Sequence, residues 1–250
     1  MTDTNPLEIK SVGEVDWVTL NRPERLNALN QPLSDALLAY FESKRRDTST
    51  RVIVLGAAGR AFCSGADLKA MGQPDRLQDG PNGDWVLRDT LKAMRACPQP
   101  LIALVQGAAA GGGLALALAC DVIVVGATAA FHPAFIKIGL SGTELGVSWR
   151  LQRTIGLSRA REMLLTGAPM NAEDALRTGL ASRLVADGDL LACGAAMAEA
   201  MLKAAPDALR VSKRSFDASL EVPSFEMALE VEERGQMMMV RQNRAFSAPK

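Results

Sequence analysis

Two loops rich in glycine and alanine carry the residues of this chain that could do chemistry. The run Gln106-Gly107-Ala108-Ala109-Ala110-Gly111-Gly112-Gly113 follows an apolar, strand-like stretch, Leu101–Val105, and opens an apolar, helix-like stretch, Leu114–Ala119. Three consecutive glycines at a helix start leave backbone N–H groups uncovered, with no Cβ in the way, where the helix dipole adds partial positive charge. Such a loop can hold developing negative charge. A phosphate is the first anion to consider, and the sequence argues against it. No Gly-Lys-Ser/Thr ending is present, and Gly107 is followed by three alanines instead of the Gly-x-Gly-x-x-Gly spacing. A second small-residue loop, Ala57 to Lys69, follows the strand-like run Val52–Gly56. Two strand-to-loop elements, each offering one uncovered N–H, are the minimum for a two-donor oxyanion hole. Taken alone, either loop reads first as a tight turn where a helix packs on a sheet.

The elements that must position these loops follow from periodicity and punctuation. Leu7–Val12 and Val15–Leu20 read as a hairpin around Gly13-Glu14. Asn30 is placed to cap a helix running to about Arg46, with Pro32 in its first turn. Residues Gly72 to Gly83 carry Gly, Pro, Asp and Asn and read as a surface loop, and Trp85–Ala96 as a helix ended by Pro98. A strand over 101–105, a helix over 111–119 and a strand over 121–125 follow. Ser158 and Asn171 stand where helix caps are expected. From Leu190 the pattern is helical, with Pro206 and Pro223 starting new helices. Strands alternating with helices give an α/β architecture.

Composition bounds the function. The chain has 250 residues, is 48% hydrophobic, and carries 28 Lys+Arg against 28 Asp+Glu. A sizeable core is available, and no basic face points to nucleic acid. The N-terminus lacks a charged-then-apolar signal pattern, and no apolar run reaches the roughly 20 residues of a spanning helix, so no membrane partner is expected. Cys63, Cys97, Cys120 and Cys193 show no metal-type spacing. Free thiols in a reducing cytoplasm are the expectation, with no bound metal.

Phe62-Cys63-Ser64-Gly65-Ala66-Asp67-Leu68-Lys69 and Gly107–Gly113 resemble the two signature loops of the crotonase superfamily, the enoyl-CoA hydratase/isomerase family. Asn21-Arg22-Pro23-Glu24-Arg25-Leu26-Asn27-Ala28-Leu29 resembles its early CoA-contacting segment. Leu165–Pro169, Ala172–Ala175 and Thr178–Leu180 resemble its later helical signature. The match runs in order from about Val15 to Val185. The resemblance implies a crotonase-like spiral of strand-strand-helix repeats over residues 1–189 and a C-terminal helical trimerisation region over 190–250. It implies a homotrimer or dimer of trimers, with apolar positions such as Met197, Met201 and Leu202 in the interface. It also implies an acyl-CoA thioester whose carbonyl is held by the N–H groups of Ala66 and Gly112. CoA would lie along Arg25, Ala28, Ser64, Ala66, Asp67, Leu68 and Lys69. No cofactor is implied, since CoA is part of the substrate.

The departures from that pattern bear on the reaction. Hydratases of the family use two glutamates around one water. The matching positions here are Ala115 and Phe135, and neither can move a proton. Glu144 lies where some family isomerases carry an acid, just before a helix, and one carboxylate can serve an isomerisation. An acid at a helix start also has a plain stabilising role. His132, the chain's only histidine, lies beside the vacant glutamate position and has a pKa range suited to proton transfer. Asp67 reads as a brace for its loop, and Asp121 as structural. Three readings stand at this point: an isomerase using Glu144, a hydratase with a rearranged water site using Glu144 and His132, and a non-catalytic acyl-CoA binder.

Overall fold

The computed structural model describes residues 5–67 and 82–246, with side chains over 5–67 and 86–241. The chain opens with the hairpin β1 (Leu7–Val12) and β2 (Val15–Leu20), whose turn places Gly13 at a φ of 58°. Next come α1 (Gln31–Lys44), β3 (Val52–Ala57), α2 (Asn82–Ala96), β4 (Leu101–Val105), β5 (Ala108–Ala110), α3 (Gly112–Ala119), β6 (Val122–Gly126) and β7 (Ala130–His132). The second half holds α4 (Val147–Ile155), α5 (Leu157–Thr166), β8 (Met170–Asn171), α6 (Ala172–Thr178), β9 (Arg183–Val185), α7 (Leu190–Leu202), α8 (Pro206–Ser219) and α9 (Phe225–Phe246).

Six strands form one sheet in the order β1-β2-β3-β4-β6-β9, parallel throughout except for the β1–β2 hairpin. A second sheet, β5-β7-β8, lies beyond it. Two isolated bridges, Leu29 with Ala66 and Cys63 with Ala109, carry that second layer back toward the start of the chain. A cycle results: a strand in the large sheet, a short extended segment in the small layer, then a helix. It runs through β2, Leu29 and α1, then β3, Cys63–Ala66 and α2, then β4, β5 and α3, then β6, β7 and α4. This is a spiral of strand-strand-helix turns, and both loops of interest sit where the chain passes from the second layer into a helix.

The strands are near-continuous apolar runs because the large sheet is covered on both faces. Ile53, Leu55, Leu101, Ala103, Val105, Ile123 and Val125 face a large core shared with α1, α3 and α4. The alternate residues Val52, Val54, Ile102, Leu104 and Val124 face a second cluster under α7, with Leu190, Cys193, Met197, Ala198, Met201 and Leu202. At Gly194 the helix approaches so closely that a Cβ would lie 3.0 Å from Leu104 Cδ1. Met197, Met201 and Leu202, expected in a subunit interface, are therefore used against the molecule's own sheet. Beyond α7, α8 is tied to the core: Lys213 Nζ donates to Asp121 Oδ2 (2.7 Å) and Gln99 O (3.0 Å), and Arg210 donates to Asp47 O.

Asn30 caps α1 through Leu33 N, and Asn171 caps α6 through Asp174 N. Ser158 is not a cap: Gly156, at a φ of 83°, occupies that position of α5, and Ser158 lies inside the helix. Strand β6 begins at Val122, one residue late, because the Asp121 carboxylate accepts Leu101 N–H and Lys213. Helix α9 begins at Phe225, not at Pro223, with Ser224 Oγ accepting Met227 N–H. Helix α2 begins at Asn82, and residues 72–81 of the expected surface loop lie outside the described residues.

Candidate active site

Within the signature stretch Phe62–Asp67 the N–H groups have acceptors, with one exception. Phe62 donates to Gln106 O, Cys63 to Ala108 O, Ser64 to Leu26 O and Asp67 to Leu29 O, all at 2.8–3.0 Å. Gly65 N–H bonds the Cys63 sulfur. The Ala66 N–H has no acceptor among the described residues. In the second loop, Ala110 donates to Cys63 O (2.8 Å) and Gly111 to His132 O (3.0 Å), while Gly112, like Gly113 and Leu114 after it at the start of α3, has no acceptor among the described residues. A helix start leaves such donors open by construction.

Close packing brings the Ala66 and Gly112 donors together. A Cβ on Gly65, whose φ is 90°, would lie 2.7 Å from Ala110 O and 3.5 Å from Gly112 N. A Cβ on Gly113 would lie 2.2 Å from Cys63 O, so only glycine lets α3 start against the first loop. The surroundings are apolar. A Cβ on Gly112 would meet Leu29 Cδ1 at 2.8 Å and Leu87 Cδ2 at 2.9 Å, and the Phe135 ring lies against Gly111. Ala115, one turn along α3, is buried. Ala115 and Phe135, the positions where the resemblance led one to expect glutamates, thus flank the start of α3 as hydrocarbon.

His132 is joined to this site by its carbonyl, and in β7 it falls on the face opposite buried Phe131. Burial lowers its pKa from the ordinary histidine value, and the Lys137 charge adds to the effect, so the imidazole is held neutral. Glu144 is half-buried, two residues ahead of the α4 cap Gly146. Its carboxylate accepts its neighbour's N–H, that of Leu145, at 3.2 Å. Helix α4 packs on α3, but among the described residues no hydrogen bond ties the Glu144 side chain to either loop. Burial pushes the Cys63 thiol up to about 12, which keeps it protonated and unreactive at neutral pH.

On the side expected to meet CoA, Arg25 is exposed in a short turn, Pro23–Arg25, and Ser64 is half-buried. Ala28 is buried and its carbonyl accepts from Arg22 Nη1. Asp67 is a brace: its carboxylate pairs with Arg22 Nη2 at 3.1 Å. Leu68 and Lys69 lie outside the described residues. Sequence reasoning missed Arg22 and Asn27. Asn27, fully buried at a φ of 53°, accepts from Arg22 N and donates to both Ala58 O and Ala61 O at 2.8 Å. An asparagine within a turn is the signal that could have found it, since Asn tolerates the left-handed region. Two N–H donors beside the apolar side chains of Leu29, Leu87 and Phe135, with a carboxylate and a neutral imidazole on neighbouring elements, can polarise a carbonyl and stabilise its enolate.

Comparisons with known proteins identify the family. A family model described as enoyl-CoA hydratase/isomerase matches residues 11–245. A probable enoyl-CoA hydratase, EchA12 of Mycobacterium tuberculosis, is 39% identical over 232 residues, covering 90% of this chain and 81% of the relative. A probable enoyl-CoA hydratase of Rhodobacter capsulatus is 39% identical over 225 residues, covering 88% and 84%. Among solved structures, a monofunctional enoyl CoA isomerase from M. smegmatis superposes with a TM-score of 0.78 at 40% identity, covering 90% of this chain and 99% of that one. The enoyl-CoA hydratase from Bacillus anthracis superposes at 0.89 with 28% identity, covering 94% and 91%.

Proposed function

The chain belongs to the enoyl-CoA hydratase/isomerase family, and from that premise we propose that it moves the double bond of an enoyl-CoA thioester, with Glu144 as the single base. The thioester oxygen sits between the N–H groups of Ala66 and Gly112. Glu144 takes a proton from C2 of a 3-enoyl-CoA, the electrons pass into the carbonyl to form a dienolate, and the same carboxyl returns the proton to C4. The product is a 2-enoyl-CoA, with atoms and charge conserved. The observation that carries this reading is the pairing of two open N–H donors with hydrocarbon at Ala115 and Phe135. Hydration must deliver hydroxide to one carbon and a proton to its neighbour, and the two side chains that would manage that water are absent. The likeness to an isomerase at 40% identity supports the same choice.

On this reading CoA lies along Arg25, Ala28, Ser64, Ala66, Asp67, Leu68 and Lys69, and the reaction calls for no further cofactor. The working form is a homotrimer or dimer of trimers, built through the outer faces of α8 and α9. There Phe216 is 64% and Phe225 73% exposed.

The names of the curated relatives favour a second reading, hydration at a water held by Glu144 and His132. Turnover of 3-enoyl-CoA and crotonyl-CoA substrates, measured side by side, separates the two. Isomerisation faster than hydration, and lost in Glu144→Gln by about 10²–10⁴-fold, is expected for a positioned base. Fast hydration would replace the first reading by the second. Thioester binding without any turnover would make the protein a binder.

A further inference from the structure

Arg22 stands outside both loops, yet it begins a chain of hydrogen bonds that ends at one of the two open donors. Its Nη1 donates to the carbonyl of Ala28. That carbonyl shares a peptide plane with the N–H of Leu29, which donates to Gly65 O at 2.7 Å. Gly65 O in turn shares a peptide plane with the N–H of Ala66, the one left open. In a trans peptide the C=O and N–H point in opposite directions, so fixing one fixes the other. The order is therefore guanidinium, peptide 28–29, peptide 65–66, open N–H, with every donor pointing the same way. The guanidinium does not lose its charge. The side chains of Arg22 and Asp67 are only 16% and 14% exposed. Asp67 holds the second arm of Arg22, and the buried Asn27 holds the Arg22 backbone N–H at 2.8 Å.

We propose that Arg22 is a positioning residue for the thioester site: through the peptides 28–29 and 65–66 it both aims the Ala66 N–H and makes it a stronger donor. Each bond in such a series polarises the next, by roughly 10–30% per bond. A cation at the head shifts electron density away from the N–H at the tail, where an oxyanion forms. The Gly112 N–H lies off this series and owes its polarity to α3. The two donors of the site are thus made strong by different means, one by a helix end and one by a buried arginine two peptides away. This inference rests on the oxyanion-hole reading and says how half of that hole is built.

The test reads the carbonyl directly. Acetyl-CoA labelled with carbon-13 at the carbonyl is bound to the full protein, and its carbonyl stretch is measured by difference infrared spectroscopy for the wild type, Arg22→Met, Arg22→Gln and Arg22→Lys. Thermal melts and dissociation constants are taken in parallel. The wild type should lower the stretching frequency of the bound carbonyl. Arg22→Met should bind within a few-fold of wild type but with a clearly smaller frequency shift, and kcat on 3-enoyl-CoA should fall about 3- to 10-fold with KM little changed. Arg22→Lys, which keeps a cation within reach of Ala28 O, should restore part of both, and the neutral Arg22→Gln supplies the reading where the methionine variant does not fold. A wild-type shift retained in full by the Met variant, or by the Gln variant alongside an unchanged kcat, overturns the role of Arg22 and leaves the oxyanion hole standing. A bound wild-type carbonyl with no shift overturns the hole, and this proposal with it.

Discussion

Gly112 and Gly113 are neighbours under opposite constraints. A Cβ on Gly113 would run into the backbone oxygen of Cys63 at 2.2 Å, which cannot move without dislodging the first loop. A Cβ on Gly112 meets only the ends of Leu29 and Leu87. Gly113→Ala should therefore cost about 1–3 kcal/mol by overpacking, seen as a fall in Tm of roughly 2–4 °C per kcal/mol. Gly112→Ala should melt close to wild type while lowering kcat/KM, because its methyl intrudes beside the open N–H. Equal melting temperatures for the two variants would contradict this assignment of roles. His132 gives a second test. Its pKa is lowered in the folded state, so below pH 6.5 the unfolded chain binds a proton that the folded chain resists. Stability from this source falls as the pH drops through that region and is unaffected above it. His132→Gln should flatten the change in urea midpoint between pH 7 and pH 5. At this scale the glycine run was legible in the sequence as a helix start with uncovered N–H groups, whereas Arg22 was not. Ala28 O lies in the same turn, six residues on, but Asp67 becomes its neighbour only when two loops of the spiral are laid side by side.

Helix α8 is held to the core by Arg210, which donates to Asp47 O, and by the better-buried Lys213. Lys213 is 7% exposed and bonds both Asp121 and Gln99 O. Lys213→Met would leave both acceptors short of a partner in a partly buried place. Hydrogen bonds to charged groups are worth about 1.5–3 kcal/mol each. Hydrogen exchange should speed up across α8 and α9 in this variant, with β3 and β4 unchanged, and equal acceleration everywhere would show that the helices do not open as a unit. The longer elements were legible in the sequence, because apolar runs and caps such as Asn30 and Asn171 act locally. The three-residue strand β5 was not: Ala108–Ala110 has no strand propensity, and only pairing with Ala130–His132 makes it one. Ser158 misled for the opposite reason, since the turn at Gly156 already begins α5 and leaves no capping position for it.

For the whole molecule, the face of α8 and α9 that points away from the core exposes Phe216, Phe225, Met237 and Met238. Apolar area of this kind on a folded protein calls for a partner surface. Light scattering of the wild type should give three or six times the mass of the chain, and Phe216→Glu combined with Met237→Glu should release a folded monomer. A wild-type monomer at micromolar concentration would rule out the proposed assembly. The α/β class followed from alternation alone, but the spiral needed the family resemblance, because periodicity says nothing about which strand lies beside which. Assigning Met197, Met201 and Leu202 to an interface failed for a related reason: an amphipathic helix does not declare whether its partner is another subunit or its own sheet.

The order of the spiral also dictates when its surfaces are covered. From β2 to β6 each strand pairs with the one from the turn before, so a chain leaving the ribosome can lay each turn on the last. The reverse face, with Val52, Val54, Ile102 and Leu104, has no such local cover; it waits for α7. The bonds that seat the closing helices, from Arg51 to Ala204 and from Arg210 to Asp47, span 153 and 163 residues. The nascent chain thus bares this apolar face for the whole interval between the synthesis of β6 and the emergence of α7.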